Sequence, residues 1–178
     1  NEKNIALMDS DLSEKEISSN HLAVNQFIKI ENPKKINSVE ELVNSIQNSN
    51  SEITLFTSGT TGFTRKFTHP LKNLIRKINV SDERKNDVWG FAFNPTHVAG
   101  VQVFFQAILN QNLLVNVFME SKDFVINAIN EYKITNLSST PTFYRLLLPL
   151  NQSFDSVTKI TIGGEKSDNY LISQVEKY

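Results

Sequence analysis

The sequence predicts an α/β protein in which a mostly parallel sheet carries helices on both faces. From residue 53 onward, short apolar runs alternate with segments in which apolar side chains recur every three or four positions. Strands that alternate with helices in this way form βαβ units, whose parallel sheets are buried on both faces. A chain of 178 residues with 39% hydrophobic and 21% charged residues is also long and apolar enough to bury a sizeable core.

The composition argues against several other classes of protein. A net charge of −1 predicts no electrostatic attraction to nucleic acid or to an anionic membrane. Because the chain has no cysteine, it can form neither a disulfide framework nor a thiolate metal site, and we expect a cytoplasmic location. The most apolar region, residues 98–117, contains six Asn and Gln residues, and the first residues lack a signal-peptide pattern. We therefore expect no membrane span.

Residues 1–37 are predicted to be a polar lead-in with at most one helix or edge strand, and residues 38–178 to be an α/β domain. Ser38 and Glu41 form a capping-box pattern, which predicts a helix from there to about Asn48. Residues 53–57 are predicted as a buried strand and residues 66–69 as a short returning strand. Pro70 then opens a segment of helical spacing that reaches Ile78.

The second half of the chain continues the alternation. Strands are predicted at residues 89–93, 113–118, 134–137 and 157–162, and helices at residues 98–108, 124–132, 143–148 and 170–175. In such sheets ligands bind beyond the carboxyl ends of the strands. The loops at residues 58–66, 94–97, 138–142 and 163–168 all follow predicted strands and are rich in Gly, Ser, Thr, Pro or charged residues. We expect the functional site at this edge.

The stretch from residue 57 to residue 66 has the chemistry of a phosphate-binding loop. Its two glycines allow positive φ, so that successive N–H groups can converge on an anion. Hydroxyl groups add further donors, and two cations end the stretch. The candidate phosphate contacts are Thr57, Ser58, Gly59, Thr60, Thr61, Gly62, Arg65 and Lys66. The alternative is an ordinary Ser/Thr/Gly turn with solvated cations.

Three better-known loops do not fit this stretch. The P-loop pattern needs a second glycine five positions after the first, where Thr64 stands. The dinucleotide fingerprint needs a glycine two positions after Gly59, where Thr61 stands. A nucleophile elbow needs glycines two positions before and after its serine, and Ser58 has Phe56 and Thr60 there.

The stretch resembles the phosphate loop of the adenylate-forming superfamily, which includes acyl-CoA synthetases, nonribosomal adenylation domains and luciferases. That loop reads roughly Ser/Thr-Ser-Gly-Ser/Thr-Thr-Gly-x-Pro-Lys, and the first six positions match those from Thr57 to Gly62. The sequence then departs from the pattern, because Thr64 stands at the usual proline and Arg65 at the usual lysine. The positive charge is retained there and is followed by Lys66.

Three later segments resemble the same superfamily in the same order. They are Pro95-Thr96-His97-Val98-Ala99-Gly100, Thr140-Pro141-Thr142 after the strand ending at Leu137, and Gly163-Gly164-Glu165. The resemblance implies a substrate pocket lined by His97, Thr140, Gly163, Gly164 and Glu165. Each of these residues also has a purely structural alternative. His97 could be a polar residue at a helix start, the two glycines could form a turn, and Glu165 could be a carboxylate favoured by a helix dipole. The three histidines have no paired spacing, so no metal ligand is assigned.

The resemblance implies an AMP-forming ligase that uses ATP, Mg²⁺ and coenzyme A. A small carboxylic acid would become an acyl-adenylate and then pass to a thiol such as coenzyme A. A carrier-protein-loading adenylation domain and a binding module without catalysis remain the alternatives. The chain resembles the first portion of the family's large domain, and the catalytic lysine of the C-terminal domain is expected beyond Tyr178, so no catalytic residue is assigned.

Overall fold

The computed structural model describes residues 5–8, 35–57 and 65–177. The chain divides into two compact units, Asn1–Lys77 and Ile78–Tyr178, which are described separately. This division falls inside the region that the sequence predicts as one α/β domain, and the lead-in boundary after residue 37 stays a prediction. The described residues form one mixed sheet and one fully parallel sheet, which confirms the predicted α/β class.

The first unit is built on a mixed sheet. Its elements are β1 (Ile5–Leu7), α1 (Val39–Gln47), β2 (Glu52–Thr57), β3 (Arg65–Pro70) and α2 (Leu71–Ile75). Strand β2 lies in the middle, parallel to β1 and antiparallel to β3. Its apolar residues explain this position, because Ile53, Leu55 and Phe56 are all buried. Helix α2 ends before the predicted Ile78, which belongs to the second unit.

The predicted cap of α1 is confirmed at Ser38. The Ser38 hydroxyl accepts a hydrogen bond from the Glu41 N–H at 3.1 Å. The Glu41 carboxylate in turn accepts one from the Asn37 N–H at 3.0 Å. The Ser38 bond is that of a capping box, whereas the Glu41 carboxylate reaches one residue further back than the N-cap, to the Asn37 N–H.

The second unit contains a four-stranded parallel sheet among its described residues. Its elements are a short 3₁₀ turn (Asp82–Arg84), β4 (Val88–Phe91), α3 (Val98–Leu109), β5 (Leu113–Asn116), α4 (Lys122–Tyr132), β6 (Asn136–Ser139), α5 (Pro141–Leu147), β7 (Lys159–Ile162) and α6 (Asn169–Val175). The strand order is β5-β4-β6-β7. Within the described ranges, no helix is long and apolar enough to cross a membrane.

Helices cover both faces of this parallel sheet. On one face, Trp89, Phe91 and Phe93 pack with Val103 and Ala107 of α3. On the other face, apolar residues of α4, α5 and α6 form the larger core, namely Val125, Ala128, Ile129, Tyr144, Leu147, Leu171 and Val175. The strand order explains why helices lie on both faces. The chain runs through α3 from β4 to β5 and then through α4 from β5 past β4 to β6, and because such crossovers are right-handed, the two helices lie on opposite faces of the sheet.

Strand β6 begins at Asn136, two residues later than predicted. Lys133 adopts a left-handed conformation with φ of 52°, and the Ile134 N–H donates to the Ile129 carbonyl at 3.2 Å. These residues end α4 in a Schellman motif. The N–H of Ile134 is therefore used to cap the helix and does not take part in the strand. Its side chain is nevertheless fully buried, which is why the apolar pattern predicted a strand there.

Candidate functional site

The candidate site lies at the carboxyl edge of the parallel sheet. Strands β4 and β6 are neighbours, but their following connections leave in opposite directions, toward β5 and β7 respectively. Ligands of open α/β sheets bind in the crevice at such a switch point. The loops after β4, β6 and β7, at residues 92–97, 140 and 163–168, therefore decide what this edge can bind.

The loop after β4 is held against the start of α3. The Asn94 side-chain oxygen accepts hydrogen bonds from the N–H and the hydroxyl of Thr96, at 2.9 and 2.8 Å. The Asn94 carbonyl accepts one from the His97 N–H at 3.1 Å. A β-carbon on Gly100 would lie only 2.1 Å from that carbonyl oxygen, so the close approach needs glycine. The result is an exposed His97 at the N-cap of α3.

The loop after β6 connects the ends of two strands. Ser139 is fully buried, and its hydroxyl donates to the Ala92 carbonyl just past β4 at 3.2 Å. Thr140 is the N-cap of α5 and accepts a hydrogen bond from the Phe143 N–H at 3.2 Å. Pro141 occupies the first helical position, where its missing N–H leaves no helical bond unmade. The first turn of α5 is thus fixed at the switch point.

The loop after β7 lies against the loop after β6. The Gly163 N–H donates to the Ser139 carbonyl at 3.0 Å. Gly164 has a φ of +83°, which glycine adopts without strain. A β-carbon on Gly164 would lie 3.7 Å from the Thr140 methyl carbon and 3.9 Å from the Phe93 ring. Residues that follow three different strands therefore meet at one place.

Two polar contacts from α5 hold the remainder of the 163–168 loop. The Thr142 hydroxyl donates to a Glu165 carboxylate oxygen at 2.7 Å. The Arg145 guanidinium donates to Asp168 at 2.9 Å, and the other Asp168 oxygen accepts from the Leu171 N–H at 2.7 Å. The Leu171 N–H, and then the Arg145 guanidinium, hold the pKa of Asp168 below its usual range.

The structure brings together four of the five candidate pocket residues. Thr140 and Gly164 are in near contact, Gly163 bonds to the preceding strand end, and Glu165 is joined to α5. His97 lies on the adjacent loop, after the neighbouring strand β4. A ligand role for these residues stays a prediction. Asn94 and Ser139 lie in loops that were predicted to form the site, but neither was assigned a role in it, although a polar residue directly after an apolar strand is a usable signal.

Gly163 differs from the other described glycines. Gly90 faces the Leu137 side chain, Gly100 faces the Asn94 carbonyl and Gly164 has positive φ, so each has a reason within the fold. A β-carbon on Gly163 would meet no atom of the described chain within 4 Å, and its φ lies outside the left-handed range. The fold around Gly163 therefore does not require glycine, and the space beside it is open to a ligand.

The first unit contains the flanks of the predicted phosphate loop. Thr57 pairs with Arg65 and Phe56 with Lys66 across β2 and β3, so the loop is the connection of an antiparallel hairpin. Arg65 and Lys66 are both exposed and point to opposite faces, as successive strand residues do. The remaining candidates, Ser58, Gly59, Thr60, Thr61 and Gly62, lie outside the described residues.

Within residues 5–8, 35–57 and 65–177, no three His, Cys, Asp or Glu side chains cluster in a way that could hold a metal ion. Two exposed cations, Arg65 and Lys66, lie at the base of the hairpin. Each unit thus has its own candidate region. Exposed cations flank the hairpin of the first unit, whereas uncharged polar groups and charges of both signs lie at the sheet edge of the second.

Comparisons with known proteins agree with this description. The sequence profile of a family described as AMP-binding enzyme matches residues 2–178. The 2-succinylbenzoate–CoA ligase of Staphylococcus epidermidis is 28% identical over 130 residues, which are 70% of this chain and 27% of that protein. The chain thus spans about a quarter of the length of this curated relative.

Solved structures share the fold at low sequence identity. O-succinylbenzoate coenzyme A synthetase from Bacillus subtilis, in complex with ATP and a magnesium ion, has a TM-score of 0.60 at 19% identity, over 99% of this chain and 37% of that one. The N-terminal subdomain of NpsA from Klebsiella oxytoca has a TM-score of 0.61 at 15% identity, over 70% of this chain and 34% of that one. At these identities the likeness shows the fold alone.

Proposed function

This chain belongs to the AMP-binding enzyme family, and on that premise we propose that the protein carrying it is an AMP-forming carboxylate ligase. In the proposed reaction an oxygen of the substrate carboxylate bonds to the α-phosphorus of ATP, and the bond to pyrophosphate breaks. A thiol then attacks the acyl carbon of the acyl-adenylate, and AMP leaves. The protein's part in the first step is positioning and charge neutralisation, because the nucleophile is already anionic.

The meeting of three strand-end loops at the switch point is the observation that carries this proposal. Phe93, Thr140 and Gly164 come from the three loops and lie together there, and the side of Gly163 is open. A backbone without a side chain allows a flat group to approach closely. The acid and the adenylate are assigned to this edge, with His97 and Glu165 on its flanking loops.

The hairpin of the first unit is assigned to the β- and γ-phosphates. Arg65 and Lys66 at its base are both exposed but point to opposite faces, so one of the two is assigned to the polyanion, and arginine can grip phosphate with two parallel hydrogen bonds. Thr57, Ser58, Gly59, Thr60, Thr61 and Gly62 are assigned to the same role from the sequence. ATP supplies the phosphoric anhydride that drives the reaction, and Mg²⁺ would reach the site with its phosphates.

Coenzyme A is the proposed thiol. The curated relative from Staphylococcus epidermidis is named as a CoA ligase, which supports this acceptor over a carrier protein. The acid is proposed only as a class, a small carboxylic acid, and 2-succinylbenzoate is one member to test. We also propose a cytoplasmic location, where ATP and coenzyme A are both present.

Acid-dependent exchange of labelled pyrophosphate into ATP tests the proposal. The native protein that carries this chain is assayed with aliphatic, aromatic and dicarboxylic acids, including 2-succinylbenzoate. We expect exchange with one class of acid, and an acyl-CoA detectable by mass spectrometry once coenzyme A is added. Exchange without acyl-CoA, together with acylation of a carrier protein, would favour an adenylation domain. ATP binding without exchange for any acid would favour a module without catalysis.

A further inference from the structure

Two side chains of α5 reach across to the 163–168 loop. Thr142 and Arg145 are three positions apart on the helix and therefore lie on the same face. Thr142 donates to Glu165 at 2.7 Å and Arg145 donates to Asp168 at 2.9 Å. One helix face thus holds both the middle and the end of the loop.

Helix α5 is itself well fixed. Thr140 caps its first turn and Pro141 is buried. The buried hydroxyl of Tyr144 donates to the Leu137 carbonyl at 2.8 Å and lies 3.2 Å from the Thr161 carbonyl, so it connects the helix to β6 and β7. A group held by α5 is therefore held relative to the end of the sheet.

The loop, in contrast, has little packing of its own. It begins with two glycines, and Glu165, Lys166, Ser167 and Asp168 are all exposed. Exposed ion pairs contribute little to global stability. The contacts of Thr142 and Arg145 are therefore better suited to selecting one loop conformation than to stabilising the whole unit.

We propose that Thr142 and Arg145 are positioning residues, which hold the 163–168 loop and so fix where Gly163 and Glu165 face the ligand. The inference rests on the proposed function for the identity of the ligand. Thr142 acts through the Glu165 carboxylate, and Arg145 acts through Asp168 at the start of α6. Neither residue is assigned to the reacting atoms.

The test compares Thr142→Val with Thr142→Ser and with a matched control, Thr158→Val. Thr158 is also exposed and donates a hydroxyl hydrogen bond, to the Thr135 carbonyl at 3.3 Å, but it precedes β7 at the opposite edge of the sheet. Hydrogen exchange of peptides covering residues 163–168 is measured in the native protein. We expect faster exchange in Thr142→Val alone, with Thr142→Ser close to wild type because it keeps the hydroxyl donor.

Steady-state kinetics provides the second measurement. Loss of one hydrogen bond of this kind should raise KM for the acid by roughly two- to tenfold, with a smaller change in kcat. Glu165→Ala, which removes the acceptor, and the double variant Thr142→Val/Glu165→Ala complete a cycle, in which the second change should add little to the first. Arg145→Gln should raise KM as well, and Arg145→Lys should restore part of the loss.

The two possible failures can be told apart. If Thr142→Val changes loop exchange no more than Thr158→Val does, or if the cycle shows full additivity, the positioning role is contradicted. Wild-type protein that lacks pyrophosphate exchange with every acid contradicts the proposed function instead. The hydrogen-exchange result needs no activity and stands in either case.

Discussion

The hairpin of the first unit and the sheet edge of the second unit carry their candidate residues in opposite ways. In the hairpin, all candidates lie within residues 57–66, and the strand pair Thr57 and Arg65 brackets the loop. At the sheet edge, Thr140 and Gly164 are far apart in sequence and meet because parallel strands end together. A contiguous motif can be recognised without the fold, whereas a distributed site depends on the topology.

The two regions also differ in charge. Arg65 and Lys66 place positive charge at the hairpin. At the sheet edge the carboxylates of Glu165 and Asp168 are accompanied by the cations Lys166 and Arg145, so the formal charges balance there. This difference is why the phosphates are assigned to one region and the acid and adenylate to the other.

The hairpin depends on the central strand β2, and Leu55→Ala tests this dependence. Leu55 is fully buried, so the truncation removes apolar contacts and leaves a cavity. We expect a loss of about 2–5 kcal/mol in the free energy of unfolding. Urea unfolding measures the loss, and Phe67→Ala, at an exposed position of β3, is the control. Equal losses for both variants would show that β2 does not support the hairpin as described.

The sheet edge depends on a close backbone approach, and Gly100→Ala tests it. The new β-carbon would lie 2.1 Å from the Asn94 carbonyl oxygen, so residues 94–97 must move. We expect a loss of about 1–3 kcal/mol in the free energy of unfolding, as for other overpacked sites. Denaturant unfolding gives the value, and an Ala variant as stable as wild type would contradict the described turn.

Tyr144→Phe tests the connection between α5 and the sheet. The variant loses a hydroxyl that donates to the Leu137 carbonyl, for an expected cost of about 0.5–1.5 kcal/mol. Burial also raises the pKa of Tyr144. Because folding raises this pKa, the contribution of the Tyr144 hydroxyl to stability is fully present below the ordinary tyrosine pKa of about 10. It is lost as the pH rises above that value.

The pH dependence separates this contribution from simple packing. Urea unfolding of wild type and Tyr144→Phe is compared at neutral pH and at a pH above about 10. The difference between the two proteins should shrink at the higher pH. A difference that stays constant would show that the phenol is not protected as described.

Gly163→Ala should have the smallest effect on stability. Among the described residues nothing lies within 4 Å of the new β-carbon, and φ is outside the left-handed range. We expect no loss, or a gain of about 0.4–1 kcal/mol from the restricted unfolded chain. Affinity for AMP should nevertheless fall. Thermal unfolding and calorimetric titration with AMP measure the two quantities, and unchanged AMP binding would remove Gly163 from the site.

Much of this organisation could be predicted from the sequence. Apolar periodicity located the helices from Val98 to Leu109 and from Lys122 to Tyr132 closely, because each has a buried face. It failed at β6, where Ile134 is buried but its backbone caps a helix, and where Ser138 and Ser139 are buried although polar. The Ser139 hydroxyl is satisfied by the distant Ala92 carbonyl, which a local pattern does not contain.

The candidate site was predictable to different degrees in its two parts. The loop from Thr57 to Lys66 carries a contiguous motif, so its candidate residues could be identified from the sequence alone. The pocket residues were predicted from a resemblance, but the contacts of Thr142 with Glu165 and of Gly163 with Ser139 join elements that are distant in sequence. Strand order decides which loops become neighbours, and the sequence predicted parallel strands without predicting their order.

The assignment of phosphates to the hairpin is tested most directly by measuring Kd for ATP and for AMP in wild type and Arg65→Ala, because AMP lacks the β- and γ-phosphates. We expect Arg65→Ala to weaken ATP binding by roughly tenfold or more, because a charge-assisted hydrogen bond is lost. AMP binding should stay within about twofold of wild type, since it uses the sheet edge. Equal weakening of both nucleotides, or no weakening of ATP, would contradict it.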